Sequence, residues 1–172
     1  MKLSVSAALG AILAASAPLA ATSLHAQQTQ LDVHGNYAVG TATHNNSWGG
    51  GLGVQTTLGG KTSPIAVSAA PSIDYLKQEN GGPSQTIISL DLDVQPGGSG
   101  TVVPYAGLSA GANWSGGSGK MWDGAKLGLE TLAGAQFKLG NSGASVKAEE
   151  RFGYVKTQEH TLTTRAGFLV SF

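Results

Sequence analysis

The chain has 172 residues, no cysteine, ten Lys and Arg against ten Asp and Glu, 26 glycines and only 12% charged residues. The missing cysteines exclude a disulfide framework, thiolate metal sites, a cysteine nucleophile and lipoprotein-type lipid attachment. Charge neutrality gives no basic patch for nucleic acid and no acidic tail, and so low a charged fraction, against roughly 25% in ordinary soluble domains, does not describe a surface made for water.

Met1-Lys2 supplies a short positive start, Leu3 to Leu19 is small and apolar, and Leu24-His25-Ala26 places a small residue ahead of Gln27. This reads as a cleaved secretory signal peptide over residues 1–26, followed by one domain over 27–172. The competing reading is an anchoring helix. The run is interrupted by Ser4, Ser6, Ser16 and Pro18 and lacks the roughly 20 strongly apolar residues that a spanning helix needs. Any residence in a membrane must then come from strands.

Eight runs of alternating character follow, separated by Gly, Pro, Asn and Ser. The first, Leu31 to Ala42, sets Leu31, Val33, Tyr37 and Val39 against Asp32, His34, Asn36 and Ala38. The second, Trp48 to Leu58, sets Trp48, Leu52, Val54 and Leu58 against Gly49, Gly51, Gly53 and Gln55. In the third, Ile65 to Leu76, Ile65, Val67, Ala69, Ile73 and Tyr75 oppose Ala66, Ser68, Ser72 and Asp74. The fourth, Thr86 to Val94, puts Ile88, Leu90, Leu92 and Val94 opposite Ser89, Asp91 and Asp93.

The fifth, Val102 to Trp114, has Ala106, Leu108, Ala110, Ala112 and Trp114 against Tyr105, Gly107, Ser109, Gly111 and Asn113. The sixth, Lys126 to Leu139, has Leu127, Leu129, Ala133, Ala135, Phe137 and Leu139 against Lys126, Gly128, Glu130, Gly134, Gln136 and Lys138. The seventh, Ser145 to Val155, groups Lys147, Glu149 and Arg151, with Val146, Ala148, Phe152 and Tyr154 on the other side. The eighth, Leu162 to Phe172, sets Leu162, Thr164, Ala166, Phe168, Val170 and Phe172 against Thr163, Arg165, Gly167, Leu169 and Ser171. Each has the period of two that a strand with unlike faces requires.

The charges in these runs are Asp32, Asp74, Asp91, Asp93, Lys126, Glu130, Lys138, Lys147, Glu149, Glu150, Arg151 and Arg165, and all but Glu150 lie on the non-apolar parity. A soluble sandwich or barrel with a solvated polar face would alternate in the same way. Three features favour the opposite orientation, apolar outward. The polar parity is dominated by Gly, Ala and Ser. The strands are about 9 to 13 residues long, near the length that crosses a bilayer at a tilt. The aromatics gather at strand ends, with Trp48, Tyr75, Trp114 and Tyr154 toward one rim and Phe137 and Phe172 toward the other, in the manner of interfacial girdles.

An even strand count returns both termini to one side, expected to be the periplasm. Turns near Gly59-Gly60-Lys61, Pro96-Gly97-Gly98 and Gly140-Asn141-Ser142 lie on that side, and the segments His44 to Ser47, Gln78 to Ser84, Ser115 to Gly124 and Lys156 to Glu159 face outward.

Val103-Pro104-Tyr105-Ala106-Gly107, Gly128-Leu129 through Phe137-Lys138-Leu139, Glu149-Glu150-Arg151-Phe152 and the terminal Ala166 to Phe172, taken in this order, resemble the small eight-stranded outer-membrane barrels. That family includes the OmpA transmembrane domain, OmpX-like proteins and opacity-type surface antigens. The resemblance implies an all-β, antiparallel, up-and-down transmembrane barrel in the outer membrane. Its contacts would be outer-membrane lipid and lipopolysaccharide, with periplasmic chaperones and the barrel-assembly machinery as partners during biogenesis. A terminal strand carrying Phe168, Val170 and Phe172 looks like the signal that this machinery reads. No cofactor and no metal are expected, and a monomer is. Glu150 departs from the pattern, which prefers a small residue there. On a lipid face it must lie near the rim or hold a proton, because a mid-bilayer charge is expensive.

Eight strands enclose a lumen just wide enough for its own side chains, which excludes a large-solute porin. Asp91, Asp93, Glu130, Lys138, Lys147, Glu149, Arg151 and Arg165 are therefore expected to form a buried polar network. The resemblance points to Glu149 and Arg151 as its centre. Structural filling is the first reading of this network and a narrow ion path the second.

Catalysis has little support. The deacylase type among small barrels uses His-x-Ser on one strand face, and none of the four histidines has a serine two residues on. His34 shares a face with Asp32, a pairing more often structural than catalytic. The Gly60-Lys61-Thr62 triplet lacks the earlier glycine and the helix of a phosphate loop, with Gln55 at the glycine's place. The function expected is a non-enzymatic barrel that stabilises the envelope or presents surface loops. The alternative is a secreted, soluble, lipocalin-like binding barrel, against which the sparse charges count.

Overall fold

The computed structural model describes residues 26–97, 100–115, 125–155 and 160–172, apart from 41–45 and 59–63, and gives backbone alone for Ala26, Gln27, Tyr154 and Val155. The expected signal peptide, apart from Ala26, lies outside the described residues, as do the Gly59-Gly60-Lys61 turn and the outer segments at 41–45, 116–124 and 156–159.

Alternating apolar and small or polar residues, free of interior helix-forming periodicity, give eight strands: β1 Ala26–Gly40, β2 Asn46–Leu58, β3 Ile65–Gln78, β4 Gln85–Pro96, β5 Val102–Ser115, β6 Lys126–Lys138, β7 Ala144–Val155 and β8 His160–Ser171. Each pairs antiparallel with its chain neighbour, and β1 pairs with β8 to close the barrel. Closure satisfies every edge, which a long apolar strand needs. The expected strands are therefore all present. β1 begins five residues earlier than the alternation suggested, because its first residues find partners near Leu58 and Ser171.

Register fixes the geometry. A row of paired residues from Gln28 runs through Thr57, Ser68, Asp93, Gly107, Leu132, Arg151 and Thr163 and returns to β1 at Ala38, ten residues on. A stagger of ten over eight strands corresponds to a tilt of about 40°. A horizontal circle therefore slips about one and a quarter residues per strand, and at mid-height passes close to Leu52, Leu90, Leu108, Glu150 and Arg165.

Two local features depart from simple strand rules. Pro71 lies inside β3 and has no N–H to donate. The β2–β3 pairing runs to Gly53↔Ser72 and resumes at Thr56↔Ala69, while Pro71 still pairs with Leu90 of β4. The β6–β7 turn uses Gly140 and Gly143, at φ 59° and 73°, a left-handed conformation that glycine takes without penalty. Leu139 N–H donates to the Ala144 carbonyl across it at 2.9 Å.

The outward face carries Leu31, Val33, Val67, Leu90, Leu92, Leu108, Leu127, Leu129, Leu162, Phe168 and Val170, all exposed. Trp48 and Tyr75 are exposed at one end of the barrel, and Phe137 and Phe172 at the other. Trp114 does not share that exposure, being only 9% accessible. Alternation sets the side to which a residue points, not whether something lies over it. The side chain of Tyr154 is outside the description. The inward face is not wholly polar either: Leu76, Val103, Leu132 and Leu169 are buried there. Leu169 falls on the parity read as small or polar, and a closed lumen shelters a leucine as well as an arginine.

Candidate functional site

The charged residues of the inward parity converge in the lumen. In β7, positions 147, 149 and 151 share one face, so Lys147, Glu149 and Arg151 stack along the strand, each at most 3% exposed. Arg151 is the hub. Its two terminal nitrogens grip both oxygens of Asp91 from β4, one of them at 3.2 Å, and its Nε donates to Glu149. The Arg151 Nη1 also donates to Glu130 of β6 at 3.2 Å. A planar guanidinium suits such forked bonding, which a lysine ammonium cannot reproduce.

Arg165 of β8 extends the cluster. Its Nη2 donates to Asp74 Oδ2 at 3.1 Å and its Nε to Asn36 Oδ1 at 3.0 Å, while its Nη1 lies 3.5 Å from Asp91 Oδ2. Lys147 lies 3.2 Å from Glu149 Oε2 and 3.6 Å from Asp32 Oδ2, with its ammonium 5.3 Å from the centre of the Tyr105 ring. The Tyr105 hydroxyl donates to Glu149 at 2.8 Å. Glu149 therefore takes bonds from Arg151 and Tyr105 and faces Lys147, the saturation that a buried carboxylate requires.

Asp32, His34, Asn36, Asp74 and Tyr105 join this network beyond the eight residues expected from the sequence. His34 bridges two of them, with Nδ1 3.0 Å from Asp32 Oδ1 and Nε2 2.7 Å from Asp74 Oδ1. The approach from β1 to β3 passes over β2, and Gly51 leaves the room for it. A Cβ there would sit 2.3 Å from Asp74 Oδ1 and 2.6 Å from His34 Nε2. Gly134 does the same for Tyr105, whose hydroxyl would lie 2.6 Å from a Cβ at that position. The inward parity of these residues was legible. Which strand meets which across the lumen was not, because it depends on the stagger.

Six of the eight expected members, Asp91, Glu130, Lys147, Glu149, Arg151 and Arg165, are brought together. Lys138 is not: it is the last residue of β6, half-buried, and in none of the ion pairs among the described residues. Asp93 is inside the lumen and 1% exposed, yet neither of its carboxylate oxygens has a hydrogen-bond partner among the described residues. Among the described residues the lumen buries five carboxyls, Asp32, Asp74, Asp91, Asp93 and Glu149, against three basic side chains, Lys147, Arg151 and Arg165. The acids outnumber the bases by two, and Asp93 is the one of the five without a hydrogen-bond partner among the described residues. Replacing it with the isosteric amide, Asp93→Asn, is expected to leave the barrel as stable or to stabilise it by about 1 kcal/mol, since a buried charge without a partner costs folding free energy. Urea unfolding of the refolded variant measures this, and a loss larger than about 1 kcal/mol would mean that Asp93 has an ionic partner.

The mid-height lumen is thus filled by Arg151, Arg165, Glu149, Lys147 and His34. No group of three or more His, Asp or Glu suited to a metal ion occurs among the described residues. His34 is 5% exposed and both ring nitrogens face carboxylates, an arrangement for holding a ring in place.

No family model and no curated protein matches the chain in sequence. Solved structures do match it in shape. Neisserial surface protein A superposes with a TM-score of 0.57 at 16% identity, covering 84% of this chain and 97% of that one. The outer-membrane enzyme PagL superposes with a TM-score of 0.52 at 12% identity, covering 82% and 99%. With the closed eight-strand register and the charges turned inward, this chain has the fold of the small transmembrane β-barrels of the outer membrane.

Proposed function

We propose that this protein is an integral outer-membrane barrel, non-enzymatic, that stabilises the envelope or presents its loops at the cell surface. The observation that carries the reading is the inversion of the barrel: large aliphatic side chains stand exposed around its outside while its charges are buried within. Water does not favour that arrangement over so wide a surface, and hydrocarbon does. Both termini lie on the periplasmic side, and Phe168, Val170 and Phe172 serve as the assembly signal. Lipid and lipopolysaccharide surround the apolar band. One of the similar folds is described as an enzyme. The non-enzymatic reading here is supported by the enclosure of His34, whose nitrogens are both engaged.

Fractionation tests this directly. The protein is expected in the detergent-extracted envelope, with faster gel mobility before boiling than after it. Release in osmotic-shock fluid as a native monomer in plain buffer would instead establish the soluble binding barrel.

A further inference from the structure

Glu150 is the seventh of the twelve residues of β7, points outward and is exposed. It is not near the rim: the register places it at mid-height, level with Leu90 and Leu108. The other outward-facing charge on the described strands, Lys77, stands next to the end of β3, beyond the aromatic Tyr75. Glu150 therefore lies where a charge or an unsatisfied polar group is most expensive. The Thr164 hydroxyl donates to its Oε1 at 2.9 Å, which meets only part of a carboxyl group's bonding capacity.

The surroundings of Glu150 differ from the rest of the outward face. Its register partners are Ala133 and Thr164; one step further along the same three strands lie Ala135, Ala148 and Ala166 toward one end and Thr131, Phe152 and Leu162 toward the other. The far side of the barrel presents Ile73, Leu90 and Leu92 at comparable positions. Small side chains on the Ala135, Ala148 and Ala166 side of this polar centre let two surfaces approach until a hydrogen bond can cross between them. In lipid, such packing and bonding drive association, because hydrocarbon supplies no hydrophobic force of its own.

We propose that two copies of this chain associate side by side in the bilayer through β6, β7 and β8, with their Glu150 carboxyls meeting at the two-fold axis. This rests on the membrane reading above. A second copy is the occupant favoured by the geometry. Lipid tails cannot bond a carboxyl, and headgroups lie about half a membrane thickness, roughly 15 Å, away. An axis along the membrane normal returns every residue at its own height, so a mid-height Glu150 meets the same group on its copy. A carboxylic acid both donates from one oxygen and accepts at the other, so two such groups can bond reciprocally. The interface is self-complementary, as a two-fold contact must be.

The chain has no cysteine, so a single introduced one can cross-link only to its copy. In folded protein in phosphatidylcholine vesicles, oxidation of Ala148→Cys is expected to give a dimer band, and Leu90→Cys, three strands round the barrel, very little. Adding Glu150→Ala to the Ala148→Cys chain should weaken association about tenfold, whereas Glu150→Gln, which still bonds reciprocally, should retain most of it. Heat-modifiable mobility is read on the same samples. Inserted, heat-modifiable protein that gives no Ala148→Cys dimer, cross-links equally at both sites, or is indifferent to Glu150→Ala overturns the dimer and leaves the membrane reading standing. Protein that fails to insert overturns both.

Discussion

Arg151→Met is expected to destabilise the folded barrel by about 3–5 kcal/mol, the cost of removing one partner from a buried ionic cluster. Three carboxyls depend on this guanidinium: Asp91 through a two-pronged contact, Glu149 through Nε, and Glu130 at 3.2 Å. Arg165 cannot take over, since its own nitrogens are directed to Asp74 and Asn36 and its nearest approach to Asp91 is 3.5 Å. Arg151→Lys should recover only part of the loss, because one ammonium cannot reproduce the fork. Urea titration of protein refolded into vesicles gives the free energies. A loss under about 1 kcal/mol for Arg151→Met would show that the lumen repacks around the missing charge and that the cluster is not held by its hub.

Leu90→Arg should cost about 2–4 kcal/mol in the same assay. Leu90 is 41% exposed at mid-height, so its replacement puts a guanidinium into the centre of the hydrocarbon. The penalty should fall to roughly 0–1 kcal/mol for Val94→Arg, four residues nearer the end of β4. Ser89 is the contrasting neighbour. It points into the lumen and shares a 2.9 Å hydrogen bond with Ser72, so Ser89→Arg is limited by room and by pairing with the surplus carboxyls. A depth gradient on one parity and none on the other is the signature of lipid outside. Leu90→Arg folding in lipid with wild-type stability would mean that the apolar face does not meet hydrocarbon.

The fold was legible because a strand in a closed barrel has two surroundings and each demands its own chemistry. Ser89 and Leu90 are adjacent in the chain and face a polar lumen and an apolar exterior, and that contrast recurs around most of the barrel, with β2 the exception, where Val54, Gln55 and Thr56 are buried in succession. The strand bounds followed within a few residues, since turn glycines such as Gly140 mark where the alternation stops. Leu169 and Trp114 show the boundary of this reasoning, because parity does not say what packs against a side chain once it has been aimed.

Composition and alternation by themselves determined an all-β chain of eight strands with its charges gathered on one face, because side-chain direction in a strand is a local property of the backbone. The tertiary structure decided the partners. The ten-residue stagger carries Arg151 to Asp91 and His34 to Asp74 and leaves Asp93 without a partner. It also raises Glu150 to mid-height, clear of the rim. Stagger is a collective outcome of closing eight strands at once, and no single strand encodes it.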